Sequence, residues 1–157
     1  MYEALLEEAR QKGLTVIEKY PFHSPRIRGL CCDDTIALNA LIDTEAERTV
    51  ILCEELTHAT QQLGNILSDP RMEKRARQTT FDRLISPEGL VCAYLEGCRE
   101  AWEFAEYLGV TQAFLDEAMA NYRARFGTLK KVHFKGKDYA ISFEPTLCIK
   151  KWKEHTA

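Results

Sequence analysis

The residues of this sequence best suited to chemistry sit together. Glu54, Glu55 and His58 follow directly on the apolar stretch Thr49-Val50-Ile51-Leu52-Cys53. That stretch is apolar almost all the way round a helix, so this part of the chain is expected to be buried. A carboxylate carried into such surroundings must be protonated, paired or coordinated to a metal, because an uncompensated buried charge is costly. Residues four apart project from the same helical face. Glu54 and His58 therefore share a face, with Glu55 one residue further round.

The spacing is that of an HExxH zinc helix with glutamate at its first position. In that pattern the first and fifth residues ligate zinc, and a glutamate at the second takes a proton from the attacking water. Carboxylate oxygen is an acceptable zinc ligand, which makes Glu54 and His58 candidate ligands and Glu55 the candidate base. The plainer reading is an acidic helix in which Glu54 and His58 form an ordinary i,i+4 pair. A catalytic zinc usually takes three protein ligands and leaves one position for water. The third candidate is Glu73, early in the following helix, where Ala76 and Thr80 share its face and would allow a close approach. Competing explanations exist for Glu73: it complements the helix dipole in a first turn, and Arg77 lies four residues on as a partner. Asp69 is a weaker substitute, since helix capping already accounts for it.

These residues need helices to hold them, and the sequence marks where the helices fall. Leu5, Leu6 and Ala9 give a helix over 2–12, stopped by Gly13. Residues 14–20 alternate as a strand, Pro21 to Pro25 interrupts, and 26–30 and 35–38 read as two short strands turning at Asp33-Asp34. Thr44, with Glu47 three residues on, forms a capping box for a helix that ends at Leu63-Gly64. Asp69-Pro70 starts a second helix, which runs to Ile85 and is closed by Ser86-Pro87. Helices follow near 88–96, 99–108 and 112–126. The segment 131–143 is a hairpin turning at Lys135-Gly136-Lys137-Asp138, with Pro145 limiting its second strand. The expected fold is α+β. A small N-terminal antiparallel sheet would pack on a metal-binding helix pair, followed by a helical middle and a C-terminal β-hairpin. The 157 residues fit one domain, with a metal-binding core over about 1–86, a helical subregion over about 88–127 and the hairpin over about 131–149.

Composition narrows the classes of function. Hydrophobic residues make up 45% and charged residues 29%, enough for a buried core. The net charge of −3 with no long basic run argues against general nucleic-acid binding, which needs clustered positive charge. The longest apolar run, residues 90–95, falls far short of the roughly 20 needed to cross a bilayer. The acidic N-terminus lacks the features of a signal peptide, so a cytoplasmic protein is expected. Six cysteines without a CxxC pair are read as thiols, with Cys53, Cys92, Cys98 and Cys148 among apolar neighbours. His23, His133 and His155 are assigned surface or structural roles. Trp102 and Phe104 are expected as core anchors, and Trp152 as a seal on the hairpin. The lysines at 130, 131, 135, 137, 150, 151 and 153 read as a solvated face.

The segment Ile51-Leu52-Cys53-Glu54-Glu55-Leu56-Thr57-His58 resembles the metal-binding helix of ImmA/IrrE-type metallo-endopeptidases, above all their short phage and mobile-element members. Glu73-Lys74-Arg75-Ala76-Arg77, leading to Phe81 and Leu84-Ile85, resembles the ExxA segment of that family. Residues 103–111 and the closing Ile141-Ser142-Phe143-Glu144-Pro145 match in the same order. The resemblance implies a zinc site of Glu54, His58 and Glu73, with Glu55 as general base. It also implies a substrate, the repressor protein of a phage or transposable element. Thr57 stands where glycine is usual, which would crowd the helix against a neighbouring strand.

Two other functions compete. One is a non-catalytic partner that binds such a repressor without cutting it, in the manner of an antirepressor, a view favoured by Glu54 and Thr57. The other is a DNA-binding helix-turn-helix, since residues 105–111 followed by Phe114-Leu115 have the required alanine, turn glycine and apolar spacing. Electrostatics oppose it. Residues 99–118 set Arg99 against Glu100, Glu103, Glu106, Asp116 and Glu117, and phosphates would repel that surface.

Overall fold

Tyr2, Leu5 and Ala9 recur on one face of helix α1 (Tyr2–Gln11) and are buried. The helix ends as the sequence predicts. The amides of Lys12 and Gly13 return to carbonyls of the last turn, and Gly13 takes a φ of 73°, a left-handed conformation open to glycine without steric cost. The computed structural model describes residues 1–61 and 69–153 and divides into two compact units, Met1–Arg83 and Leu84–Ala157. The expected helix end at Leu63-Gly64 lies outside the described residues, as does His155.

In the N-terminal unit, β1 (Thr15–Tyr20), β2 (Gly29–Cys32) and β3 (Thr35–Asn39) form a sheet in the order β1-β3-β2. The expected antiparallel sheet is corrected here: β2 pairs antiparallel with β3, but β1 pairs with β3 in parallel, so the sheet is mixed. The reason is topological. Residues 21–28 carry the chain past the middle position to the far edge, and a tight turn at Asp33-Asp34 folds β3 back between the other two strands. Asp33 takes a φ of 52° in that turn. The strand predicted at 26–30 is displaced to 29–32, because the buried Asn39 amide donates to the carbonyls of Ile27 and Ser24 and holds this stretch as a loop.

Ile36 and Leu38 of β3 are fully buried. Their register partners Cys31 and Gly29 on β2 share that face, since side chains alternate along a strand. Helix α2 (Glu45–Gln61) lies against α1, β2 and β3. It starts at the Thr44 cap, whose hydroxyl accepts from the Glu47 amide at 3.2 Å and meets the Glu47 carboxylate at 3.3 Å. Val50, Leu52, Cys53 and Leu56 are its buried residues on the core side, and each full-sized aliphatic so buried contributes roughly 1.5–3 kcal/mol. Helix α3 (Pro70–Leu84) is capped by Asp69, which accepts from the Arg71 amide at 2.9 Å. Arg83, near its end, pairs with Glu8 of α1 and reaches the Thr57 hydroxyl at 3.5 Å.

The C-terminal unit holds α4 (Pro87–Leu95), α5 (Ala101–Leu108), α6 (Gln112–Phe126), β4 (Leu129–Phe134), β5 (Lys137–Ser142) and β6 (Cys148–Lys151). The helical subregion and the closing strands, separate in the sequence reading, form one body. Ser86 caps α4 by accepting from the Gly89 amide at 2.9 Å. Gly109, left-handed at φ 69°, ends α5, and Thr111 caps α6 by accepting from Phe114 at 3.1 Å. The expected hairpin is present with its turn at Lys135-Gly136, but it is part of a three-stranded antiparallel sheet, order β4-β5-β6. β5 ends at Ser142, ahead of Pro145, and the chain then returns along the free edge of that strand, where Ile149 is buried opposite Ile141. Two further expectations are corrected. Trp102 is 57% exposed, because Phe104 and Ala105 occupy the inner face of α5 and position 102 projects away from it. Cys148 is exposed at the start of β6, and Cys92 is only half-buried. All six cysteines are free thiols. The fold is α+β, and no helix among the described residues is long and apolar enough to cross a membrane.

Candidate metal centre

The buried half of α2 ends within one turn. Leu52, Cys53 and Leu56 point into the core, and Thr57 is also buried, its hydroxyl donating to the Cys53 carbonyl at 2.8 Å. That bond satisfies the hydroxyl within its own helix. The close strand–helix approach is made at Gly29 of β2. A Cβ there would lie 2.6 Å from Ile51 Cγ2 and 3.1 Å from Glu55 Cγ, so only glycine fits without displacement.

Across the remaining face, α2 and α3 exchange charged contacts. His58 Nε2 lies 3.2 Å from Glu73 Oε1; His58 is 14% exposed in its side chain and Glu73 57%, so the group opens toward solvent on the α3 side. Ligand atoms of Glu54, His58 and Glu73 all lie within 4.8 Å of one another. Bonds of about 2.0–2.1 Å in a tetrahedral zinc site separate ligand atoms by about 3.3 Å. The His58–Glu73 spacing already fits, and no separation would need to contract by more than about 1.5 Å to reach that figure. Two carboxylates and an imidazole are a donor set that zinc accepts, and these three residues could hold a metal ion.

Glu55, half-buried beside them, is pushed up from its ordinary value of 4.5 to about 7. Burial is the main cause. His58 opposes the shift, the charges of Glu54 and Glu73 add to it, and a hydrogen bond from the Cys31 backbone opposes it. A carboxyl that takes up and releases its proton near neutrality suits a general base. The Cys31 thiol is pushed up in turn, first by burial and then by the Glu55 charge.

The structure brings the three candidate ligands of the sequence reading to one place, while Arg77 has a partner other than the one helical spacing suggests. Arg77 Nη1 donates to Glu54 Oε2 at 2.7 Å, and its guanidinium lies 5.4 Å from the Phe81 ring centroid. The shortest contacts of Glu54 and His58 thus run across to α3 rather than along α2. Asp69 serves as a cap. A shallow concavity of about 500 Å³ is lined by Glu54, Pro70, Glu73, Lys74 and Arg77. Three contributors escaped sequence reasoning: Arg77 in its contact with Glu54, Gly29, and the Cys31 amide. Only Gly29 carried a signal, a glycine opening a short strand, which commonly marks a close backbone approach. His133 is exposed and lies 2.7 Å from Asp138, and His23 is exposed. Comparison with protein-family models, with curated proteins and with solved structures finds no match to this chain.

Proposed function

We propose that the chain is a zinc-dependent endopeptidase, with Glu54, His58 and Glu73 holding the metal, Glu55 as general base, and the repressor protein of a phage or mobile element as substrate. The observation that carries this reading is the convergence of three ligand atoms from two successive helices within 4.8 Å. The substrate assignment rests on the resemblance to ImmA/IrrE-type endopeptidases.

Zinc, when bound, would activate a water molecule and polarise the scissile carbonyl. Glu55 takes the proton as water adds to the carbonyl carbon, and returns it to the amine as the carbon–nitrogen bond breaks. Holding that carboxyl near neutrality is the work of its burial beside Gly29 and Cys31. A peptide also needs a seat. β2 is an outer strand of its sheet, and the free edge of a strand offers backbone donors and acceptors to an extended chain.

One observation favours a second reading, a repressor-binding protein without catalysis. The Glu54 charge is already paired with Arg77 at 2.7 Å, and a paired carboxylate has no need of a metal. Elemental analysis and a cleavage assay with a co-encoded repressor separate the two. The peptidase reading expects zinc in the purified protein, cleavage by the parent, and a Glu55→Gln variant that keeps zinc but cleaves about 10²–10⁴-fold more slowly. Folded protein with no affinity for zinc refutes it. Cleavage by Glu55→Gln at the rate of the parent removes Glu55 as the base.

A further inference from the structure

We infer that Arg77 is a charge-compensating partner of Glu54, which makes this carboxylate act on the metal as a neutral histidine would. The inference rests on the metal-site reading above and concerns how that site is tuned.

A glutamate at the first position of the motif brings one negative charge that histidine does not. Placed beside Glu73 and Glu55, it leaves three carboxylates around one imidazole. Each added anionic donor gives electron density to a bound cation and weakens its pull on water and on a carbonyl. It also makes the three carboxylates repel one another. An arginine on one oxygen of Glu54 offsets that extra charge and draws density away from the ligand. The structure supplies this arginine: Nη1 of Arg77 reaches Glu54 Oε2 at 2.7 Å, from a different helix and 23 residues away in sequence. The pair is partly sheltered, with side-chain exposures of 30% for Arg77 and 24% for Glu54. Its attraction is therefore screened less than that of a surface pair. Phe81 one turn further along α3 holds the guanidinium in place, with the cation 5.4 Å from the ring centroid. A carboxylate has two oxygens, so pairing Oε2 with Arg77 leaves Oε1 for coordination. Arginine is suited to this duty because it stays charged at any working pH.

The sign of the effect separates charge compensation from simple support. Removing a hydrogen-bond partner that only orients a ligand commonly costs 10–100-fold in metal affinity. Removing a compensating cation does the reverse, because Glu54 then presents its full negative charge to the metal. The test measures zinc affinity of the full-length chain by competition with a chromophoric chelator, and the cobalt absorption spectrum. The proteins are the parent, Arg77→Gln, Arg77→Lys, Glu54→His, and Glu54→His with Arg77→Gln. Arg77→Gln is expected to bind zinc about tenfold more tightly than the parent, contrary to the loss usual when a ligand's hydrogen-bond partner is removed. Arg77→Lys is expected to stay near the parent. In the Glu54→His background the same Arg77→Gln change is expected to leave affinity within about twofold. Weaker binding in Arg77→Gln overturns the inference in favour of a supporting role. An equal gain in both backgrounds overturns it too, because Arg77 would then act without Glu54. Zinc binding by the parent with no change in Arg77→Gln overturns the inference alone, whereas no zinc binding by the parent removes the metal site itself and Arg77's role with it.

Discussion

The chain contains two helix pairs of similar outline and opposite content. Between α2 and α3 lie Glu54, His58, Glu73 and Arg77, exchanging contacts of 2.7–3.2 Å. Between α5 and α6 lie Phe104, Ala105, Phe114, Leu115 and Ala118, all buried, while Glu106, Asp116 and Glu117 face solvent. Both stretches are rich in acid. In the second pair these acids are exposed, and the residues buried on the two helices are apolar. In the first pair they converge on one another and on a half-buried Glu55, and each must be neutralised by its neighbours. Where a carboxylate points, rather than how many there are, separates a candidate centre from a soluble surface.

Substitutions can break this contrast. The largest effect is expected for His58→Ala, with zinc affinity by chelator competition falling on the order of 10³-fold as one of three ligands is lost, and turnover lost with it. Glu117→Ala, the control in the other pair, should leave affinity unchanged. Equal losses in both would erase the distinction. Next, Phe104→Ala should cost about 3–5 kcal/mol in urea denaturation, the usual range for a buried aromatic. A cost under about 1 kcal/mol would mean that α5 and α6 are not held by packing.

A pH series sharpens the comparison further. Glu55 binds its proton more tightly when folded, at about 7 against an ordinary 4.5. Below 4.5 both folded and unfolded chains carry the proton, and no penalty arises. As pH rises toward 7 the unfolded chain ionises first, so stability falls, and the loss is complete above about 7. Metal-free Glu55→Gln should therefore match the parent near pH 4.5 and exceed it by up to about 3 kcal/mol near pH 8. Parallel melting curves across that range would show that Glu55 titrates normally. The smallest effect is expected at Thr111→Ala, which removes the cap donated to by Phe114 at 3.1 Å and should lower stability by about 1 kcal/mol. Metal affinity should not respond.

Local signals were the readable ones. Gly13, Thr44, Asp69-Pro70, Ser86-Pro87, Gly109 and Thr111 each act on backbone groups within four residues, and each bounds a helix where the sequence places it. The ligand candidates were legible for the same reason, since i,i+4 spacing on α2 and a position early in α3 are local properties. The rest depends on distant partners. Nothing in residues 15–20 tells that they will pair in parallel with 35–39, because that choice is made by the path of residues 21–34. Cys148-Ile149-Lys150-Lys151 gives little periodicity over four residues, so the sequence does not mark the third strand of the C-terminal sheet. Arg77 was assigned to Glu73 by helical spacing, whereas its contact with Glu54 crosses between helices. Trp102 misled because a large aromatic ring argues for burial, while the inward face of α5 was already taken by Phe104.

Gly29 also limits how this sequence can drift. Even alanine would set a methyl group 2.6 Å from Ile51 Cγ2 and 3.1 Å from Glu55 Cγ, and Ile51, branched at its β-carbon, has little freedom to yield. Leu30, half exposed next door, meets no such barrier. A lineage could therefore rewrite much of this strand while one position stays closed, and opening it would require a matching change at residue 51 first.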